Sequence, residues 1–384
     1  MFFFFVFAFS LFGGRRFHLS SIQITKRYLV LVCKAWYSLA SPFLFECIFL
    51  GKGKVLAPLR DGMLRSERTV ELQESPHSVG WRIQRLDVHM RDRTDNPGLI
   101  MDILADILRR LSNLRILTFA IVGHGYYLDY LPENVLQATN ACRDSLLFLN
   151  WYGGLKPFPN TWASFLENHP RLEAINVPVA LTQLGNSHIV LNSLKSVYVY
   201  YSARSRVENE FWDIEMPNIH HAICDIASII PGLEFAPDDE FLPKIGNKLT
   251  SIQINCLKSW SADYNIIYTI YDALFKILVN CKNLVRVDIV SHEWMLPSSY
   301  LLPQTVHTLG IKLNVHQISK RSVDVLLKSI LDLLSGLPSL KTICFMDQGN
   351  VRALCAHPQV LSSNLARILN LGVNVVDHEG RPLV

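Results

Sequence analysis

The sequence predicts an α/β fold: an irregular solenoid of repeated units, with a parallel sheet on the concave side and helices outside. Three observations predict it. An apolar triplet recurs, with the second anchor three residues after the first and the third two residues later. It stands at Leu114, Leu117, Phe119; Leu172, Ile175, Val177; Leu194, Val197, Val199; Leu249, Ile252, Ile254; and Leu284, Val287, Ile289. Looser copies are Ile83, Leu86, Val88; Leu146, Leu149, Trp151; Val306, Leu309, Ile311; and Leu340, Ile343, Phe345. Helix-like stretches precede several of these copies through tight turns. The apolar fraction, 49% against 18% charged, is enough for one continuous core. Internal repetition of a strand-plus-helix unit is the signature of a stacked architecture, and such stacks serve recognition more often than chemistry.

The elements follow in order. Phe2 to Phe12 is an apolar run with seven phenylalanines, closed by Gly13, Gly14, Arg15 and Arg16. It is shorter than the roughly 20 residues of a membrane span, and its arginines follow the run rather than precede it. Residues 1–21 are therefore expected to be a start-site artefact or a short buried segment, with an anchor as the alternative. Over 22–50, Tyr28, Leu31, Val32, Ala35, Trp36, Leu39 and Ala40 recur at helical spacing, so one helix face is buried. Ser41-Pro42 breaks that helix, and Phe43 to Leu50 continues as a short apolar segment. Residues 51–80 read as a connector with little periodicity.

The repeat domain is expected over 81–384. Asn96-Pro97-Gly98 opens an amphipathic helix lined by Ile100, Ile103, Leu104, Ile107, Leu108 and Leu111. The helix-then-strand order recurs before Leu172, before Leu284 (from Ile270 to Val279) and before Leu340 (from Val323 to Leu334). The first anchors step by 22 to 35 residues except for one interval of 55. That interval predicts a degenerate copy, placed around Ile229 to Phe235. Residues 203–240 read as an irregular insertion. A last helix near Leu361 to Leu371 leads to a terminal strand, Val373 to Val376. These steps overlap and exceed the spacing of leucine-rich repeats, so the solenoid is leucine-rich-repeat-like rather than regular.

Composition narrows function. A net charge of +4 on 384 residues does not mark a nucleic-acid binder. The eight cysteines form no C-x-x-C pair and no N-x-S/T acceptor occurs. A reduced compartment, cytoplasmic or nuclear, is expected. No nucleophile elbow, zinc-protease motif or P-loop is present, so no catalytic, cofactor-binding or metal residue is assigned. His220, His221 and Cys224 lack the second ligand pair of a zinc site. Asp238, Asp239 and Glu240 lack the oxygen ligands of a calcium site. Arg82, Arg85, Arg91 and Arg93 make a basic cluster, read as solvated surface.

Leu31-Val32-Cys33-Lys34-Ala35-Trp36-Tyr37, then Leu39-Ala40 and Leu44-Phe45-Glu46, resembles the second half of an F-box motif. Leu108 to Leu117 and Phe165 to Leu172 resemble the irregular leucine-rich-type repeats of fungal F-box proteins. The opening Leu-Pro helix of the motif has no counterpart here. The repeat asparagine is also missing, its places held by Val122, Ala180, His292 and Gln348. The resemblance implies a substrate receptor of a Skp–cullin–F-box ubiquitin ligase. Its N-terminal helices would dock on the Skp-type adaptor through Val32, Cys33, Trp36, Leu39 and Leu44, and its repeats would hold a protein substrate. The alternatives are a stand-alone repeat scaffold that does not bind the adaptor, and a membrane-tethered binding protein.

Strand alternation assigns the substrate face. The last two anchors of each triplet point into the core, and their neighbours along the strand point out. They give Arg85, Asp87, Phe148, Asn150, Tyr152, Tyr198, Tyr200, Gln253, Asn255, Arg286 and Asp288, a mix suited to binding protein. The aromatic group Phe148, Tyr152, Tyr198 and Tyr200 is the expected hot spot.

Overall fold

The computed structural model describes residues 33, 43–73, 78–90, 96–121, 130–153, 155, 157–176, 188–202, 214–228, 244–256, 277–291, 296, 301–313 and 319–383. Two compact units divide the chain after Arg171.

The first unit holds four parallel strands in sequence order, β1 (Cys47–Leu50), β2 (Arg85–Val88), β3 (Ile116–Ile121) and β4 (Phe148–Gly153). Helices lie between them: α1 (Leu56–Gln73), α2 (Pro97–Leu108) and α3 (Glu133–Ala138). A further helix, α4 (Pro159–Asn168), follows β4. Parallel neighbours need such crossovers, because a tight hairpin reverses direction. The start of α2 is written in its sequence. The Asn96 side chain accepts from the Leu99 N–H at 3.1 Å and Pro97 occupies the first turn, where its missing N–H costs nothing.

The triplets are core. Leu86, Leu117 and Leu149 align across β2, β3 and β4 and are fully buried. Val88, Phe119 and Trp151 form the next inward row. Each such side chain contributes about 1.5–3 kcal/mol on burial. Trp151 stands edge-on to Phe119 at 5.3 Å and to Trp162 at 6.2 Å, and Trp162 stacks on Phe165 at 5.2 Å. The Trp151 indole N–H donates to the Leu155 carbonyl at 2.9 Å, which satisfies its one polar atom.

Two expectations for this unit are corrected. Residues 51–80 are not a plain connector, since α1 fills most of them. Its buried face is only a few side chains wide, with Leu56 and Met63 at its centre, and charged residues hide the period. The short apolar segment Phe43 to Leu50 contains a strand of the repeat sheet. Phe45, Ile48 and Leu50 repeat the triplet spacing, and Cys47–Leu50 pairs in parallel with Arg85–Val88. The repeats therefore begin near 45, not at 81.

The second unit holds an eight-stranded parallel sheet in the order β5 (Ala174–Asn176), β7 (Ser196–Ser202), β9 (His221–Ser228), β10 (Ser251–Cys256), β11 (Arg286–Ser291), β12 (Thr308–Leu313), β13 (Thr342–Phe345) and β14 (Asn374–Val376). Two short strands, β6 (Ile189–Val190) and β8 (Ile214–Glu215), pair apart from it. The buried row runs Ile175, Val197, Ala222, Ile252, Val287, Leu309, Ile343 and Val375. A degenerate copy lies here, ahead of the expected 229–235, a segment outside the described residues. Ile219, Ala222 and Cys224 are the buried triplet, and they divide the long interval into steps of 25 and 30.

Helix α5 (Lys320–Gly336) is capped by the Ser319 hydroxyl, which accepts from Ser322 N–H. Val323, Leu326, Leu327, Ile330, Leu333 and Leu334 form its buried stripe. Helix α6 (Gln348–Cys355), which sequence reasoning missed, carries Asn350. Its amide bonds both the N–H and the C=O of Leu313, each at 2.8 Å, and so secures the end of β12. Helix α7 (Pro358–Asn370) gives way to Gly372 at φ 77°, whose N–H bonds the Leu369 carbonyl. A left-handed residue suits glycine because no Cβ meets the backbone. Among the described residues no helix is long and apolar enough to cross a membrane.

Candidate functional site

The strand neighbours of the anchors occupy the second face of each sheet, as alternation requires. In the first unit Arg85 aligns with Ile116 and Phe148, and Asp87 with Thr118 and Asn150. In the second unit one row runs Ser196, His221, Ser251, Arg286, Thr308 and Thr342. The next row runs Asn176, Tyr198, Ile223, Gln253, Asp288, Gly310 and Cys344. Parallel strands stand about 4.8 Å apart, so each row is a stripe of closely spaced side chains.

Exposure separates the expected face residues. Arg85, Phe148, Tyr198, Gln253 and Arg286 are half-buried. Asp87, Asn150, Asn255 and Asp288 are buried. They lie on the second face by parity, and hydrogen bonds to nearby side chains hold them there. Asp87 and Asp288 are held by arginines two residues back on the same strand: Arg85 Nε donates to Asp87 Oδ2 at 2.8 Å, and Arg286 Nε to Asp288 Oδ1 at 2.8 Å. Asn255 Oδ1 accepts from Gln253 Nε2 at 2.7 Å, and the Asn150 amide reaches Thr118. Tyr198 donates a short bond to Asp225. Tyr152 and Tyr200 lie on β4 and β7, with side chains outside the described set. The aromatic hot spot is thus described at Phe148 in one unit and Tyr198 in the other.

Charge on this face is locally compensated. Burial pushes the Asp288 carboxyl up, against the pull of Arg286. For Arg286 burial works downward, but the Asp288 charge and hydrogen bonds outweigh it and the guanidinium is held more firmly protonated. His221 is pushed down to about 4, first by burial and then by His220 and Arg286. Its Nδ1 lies 2.8 Å from the Ser251 hydroxyl. A neutral imidazole in a hydrogen bond to serine resembles part of a hydrolytic centre. Among the described residues His221 makes no hydrogen bond to a carboxylate that could orient it as such a centre requires.

The remaining candidates separate. His221 and Cys224 have opposite strand parity, so they project to opposite sides of the sheet. Cys224 is fully buried among the apolar anchors, and the His220 ring contacts the Asn218 carbonyl at 3.2 Å. Among the described residues no three His, Cys, Asp or Glu side chains gather as metal ligands. Burial raises the thiols of Cys142, Cys256 and Cys281 to about 12, which keeps them protonated and inert. In the basic cluster Arg85 is committed to Asp87, Arg82 ends a helical turn at Val79–Arg82, and Arg91 and Arg93 lie outside the described residues. Of the adaptor set, Cys33 is exposed and Leu44 is half-buried just before β1. Val32, Trp36 and Leu39 lie outside the described residues, as does the run from Phe2 to Phe12.

Register and burial together define a mixed α/β protein with parallel sheets built from recurring strand units. No family model and no curated protein matches the chain. Among solved structures it is similar to the leucine-rich repeat-containing protein LegL7 from Legionella pneumophila, 16% identical over 78% of this chain and 76% of that one, with a TM-score of 0.32.

Proposed function

We propose that this chain is a non-catalytic protein-binding scaffold of leucine-rich-repeat-like type, and that the second face of its sheets is the recognition surface. The observation that carries the reading is the composition of that face in the second unit. Tyr198 on β7, Gln253 on β10 and Arg286 on β11 stand half-buried within the hydrogen-bonded run β7, β9, β10, β11. Tyrosine and arginine are the usual anchors of protein interfaces, and a sheet backbone holds them at fixed spacing, which lowers the ordering cost of binding.

The finer reading is an F-box-type receptor. In it Val32, Cys33, Trp36, Leu39 and Leu44 contact a Skp-type adaptor, and the sheet face holds a substrate near a ubiquitin ligase. Its mechanism is proximity, a raised effective concentration of substrate at the ligase. The support is the resemblance of residues 31–46. A second reading, the stand-alone scaffold, is favoured by one specific observation: the last part of that string leads directly into β1, which is spent on the repeat sheet. Co-purification with a Skp-type adaptor tests both. Recovery that is lost in Trp36→Ala supports the receptor. Failure of the intact chain to bind the adaptor leaves the scaffold reading alone.

A further inference from the structure

The arrangement of Arg286 and Asp288 in β11 occurs also in β2. Both strands carry arginine, an aliphatic residue and aspartate in succession, Arg85-Leu86-Asp87 and Arg286-Val287-Asp288. In both the arginine Nε donates to the aspartate of its own strand at 2.8 Å, and the carboxylate is buried, 2% exposed at Asp87 and 8% at Asp288. Such a carboxylate fixes the guanidinium plane and spends only one of its five N–H donors.

Beyond Asp288, the Arg286 guanidinium meets only sulfur among the described residues: Nη2 reaches the Met346 thioether, at 3.9 Å, and the Cys344 thiol bonds it as well. Sulfur is a weak acceptor. The Arg286 side chain is 41% exposed, so its outer edge meets solvent. Ser251 and Thr308 are its register neighbours on either side, which places a hydroxyl on each flank. Ser251 is engaged with His221. The Thr308 hydroxyl makes no hydrogen bond among the described residues. Gly310, beside Asp288, raises no side chain over the pair.

We propose that Arg286, oriented by Asp288 and flanked by Thr308, is an oxyanion-binding subsite that takes an acidic or phosphorylated side chain of a protein partner. The inference rests on the reading of this face as a protein-binding surface and names the chemistry it selects. A planar guanidinium fork matches the two oxygens of a carboxylate or phosphoryl group, and these charge-assisted bonds are about twice as strong as neutral ones. The Asp288 charge offsets part of the attraction. A free ion is therefore held weakly, with a dissociation constant on the order of millimolar, and the rest of a partner's affinity comes from neighbouring contacts.

The test uses the full chain with inorganic phosphate and with acetate as separate probes, at ionic strength held constant with chloride. The Arg286 Nε–H resonance, assigned by its loss in Arg286→Lys, reports binding. Calorimetry reports it for the variants. Saturable binding is expected in the wild type, weakened roughly ten-fold in Arg286→Lys and reduced in Thr308→Val. Saturation by phosphate alone assigns a phosphorylated partner, and saturation by acetate as well assigns an acidic one. No saturable response to either probe overturns the proposal, and so does binding by Arg286→Lys and Arg286→Gln equal to that of the wild type. If Arg286→Gln does not fold, the lysine and Thr308→Val variants carry the comparison. Because the probes need no partner, failure here leaves the scaffold reading standing. Intact ion binding with no partner engaged at this face removes the scaffold reading instead.

Discussion

The Asp288 carboxylate occupies the space that a side chain at residue 310 would fill. A Cβ added to Gly310 would stand 2.0 Å from Asp288 Oδ1 and 2.8 Å from Met346 Sδ. The glycine is what lets a buried carboxylate lean across to the neighbouring strand while Arg286 holds its other side. Gly310→Ala is expected to cost about 1–3 kcal/mol by overpacking, read as a lower denaturation midpoint. Asp288→Ala in the same chain removes the clashing oxygen. The double variant should therefore lose less than the sum of the single losses, the mark of two residues in contact.

Ser196 and Asn176 are each 1% exposed, and the Ser196 hydroxyl and both polar atoms of the Asn176 amide have no hydrogen-bond partner among the described residues. A buried polar group without a partner carries its desolvation cost uncompensated. Ser196→Ala is expected to leave stability unchanged or raise it by up to about 1 kcal/mol. A loss of that size instead, in a urea titration, would mean that the hydroxyl is bonded in solution, with an internal water as the natural partner.

Acid should weaken the fold. His221 is held near 4 and His169 is also held below its ordinary value of 6.5, both chiefly by burial. Above 6.5 the imidazoles are neutral folded or unfolded and cost nothing. As pH falls through 6.5 the unfolded chain takes up protons that the folded chain refuses, so stability is lost down to about 4 at His221. The His221 share reaches no more than about 3 kcal/mol. Urea midpoints at pH 7 and pH 5 should fall for the wild type and fall less for His221→Gln. Equal drops would show that His221 is not the residue responsible.

Much of this architecture was legible because the triplet spacing is a physical constraint. Two anchors two residues apart must share a strand face, and at Leu249, Ile252 and Ile254 they are fully buried. The copy at Ile219, Ala222 and Cys224 escaped because alanine and cysteine bury little area and give little pattern. The copy at Phe45, Ile48 and Leu50 escaped because the same letters complete an F-box-like string. Helix α1 escaped because its charged residues outnumber its buried ones. Which second-face residues are open was not legible either. Asp87 and Arg286 follow the same alternation rule, yet Asp87 is buried and Arg286 half-buried; Asp87 and Asp288 are each bonded by the arginine two residues back on the same strand.

The central claim is that strand parity separates core from recognition surface, and neighbouring residues in β10 test it most directly. Ile252 is fully buried, and Gln253 is half-buried on the opposite face. Thermal melts of Ile252→Ala and Gln253→Ala, measured side by side, should show a loss of about 2–5 kcal/mol for the first and within about 0.5 kcal/mol for the second. Equal losses, or a larger loss at Gln253, would contradict the assignment of the two faces and the recognition surface built on it.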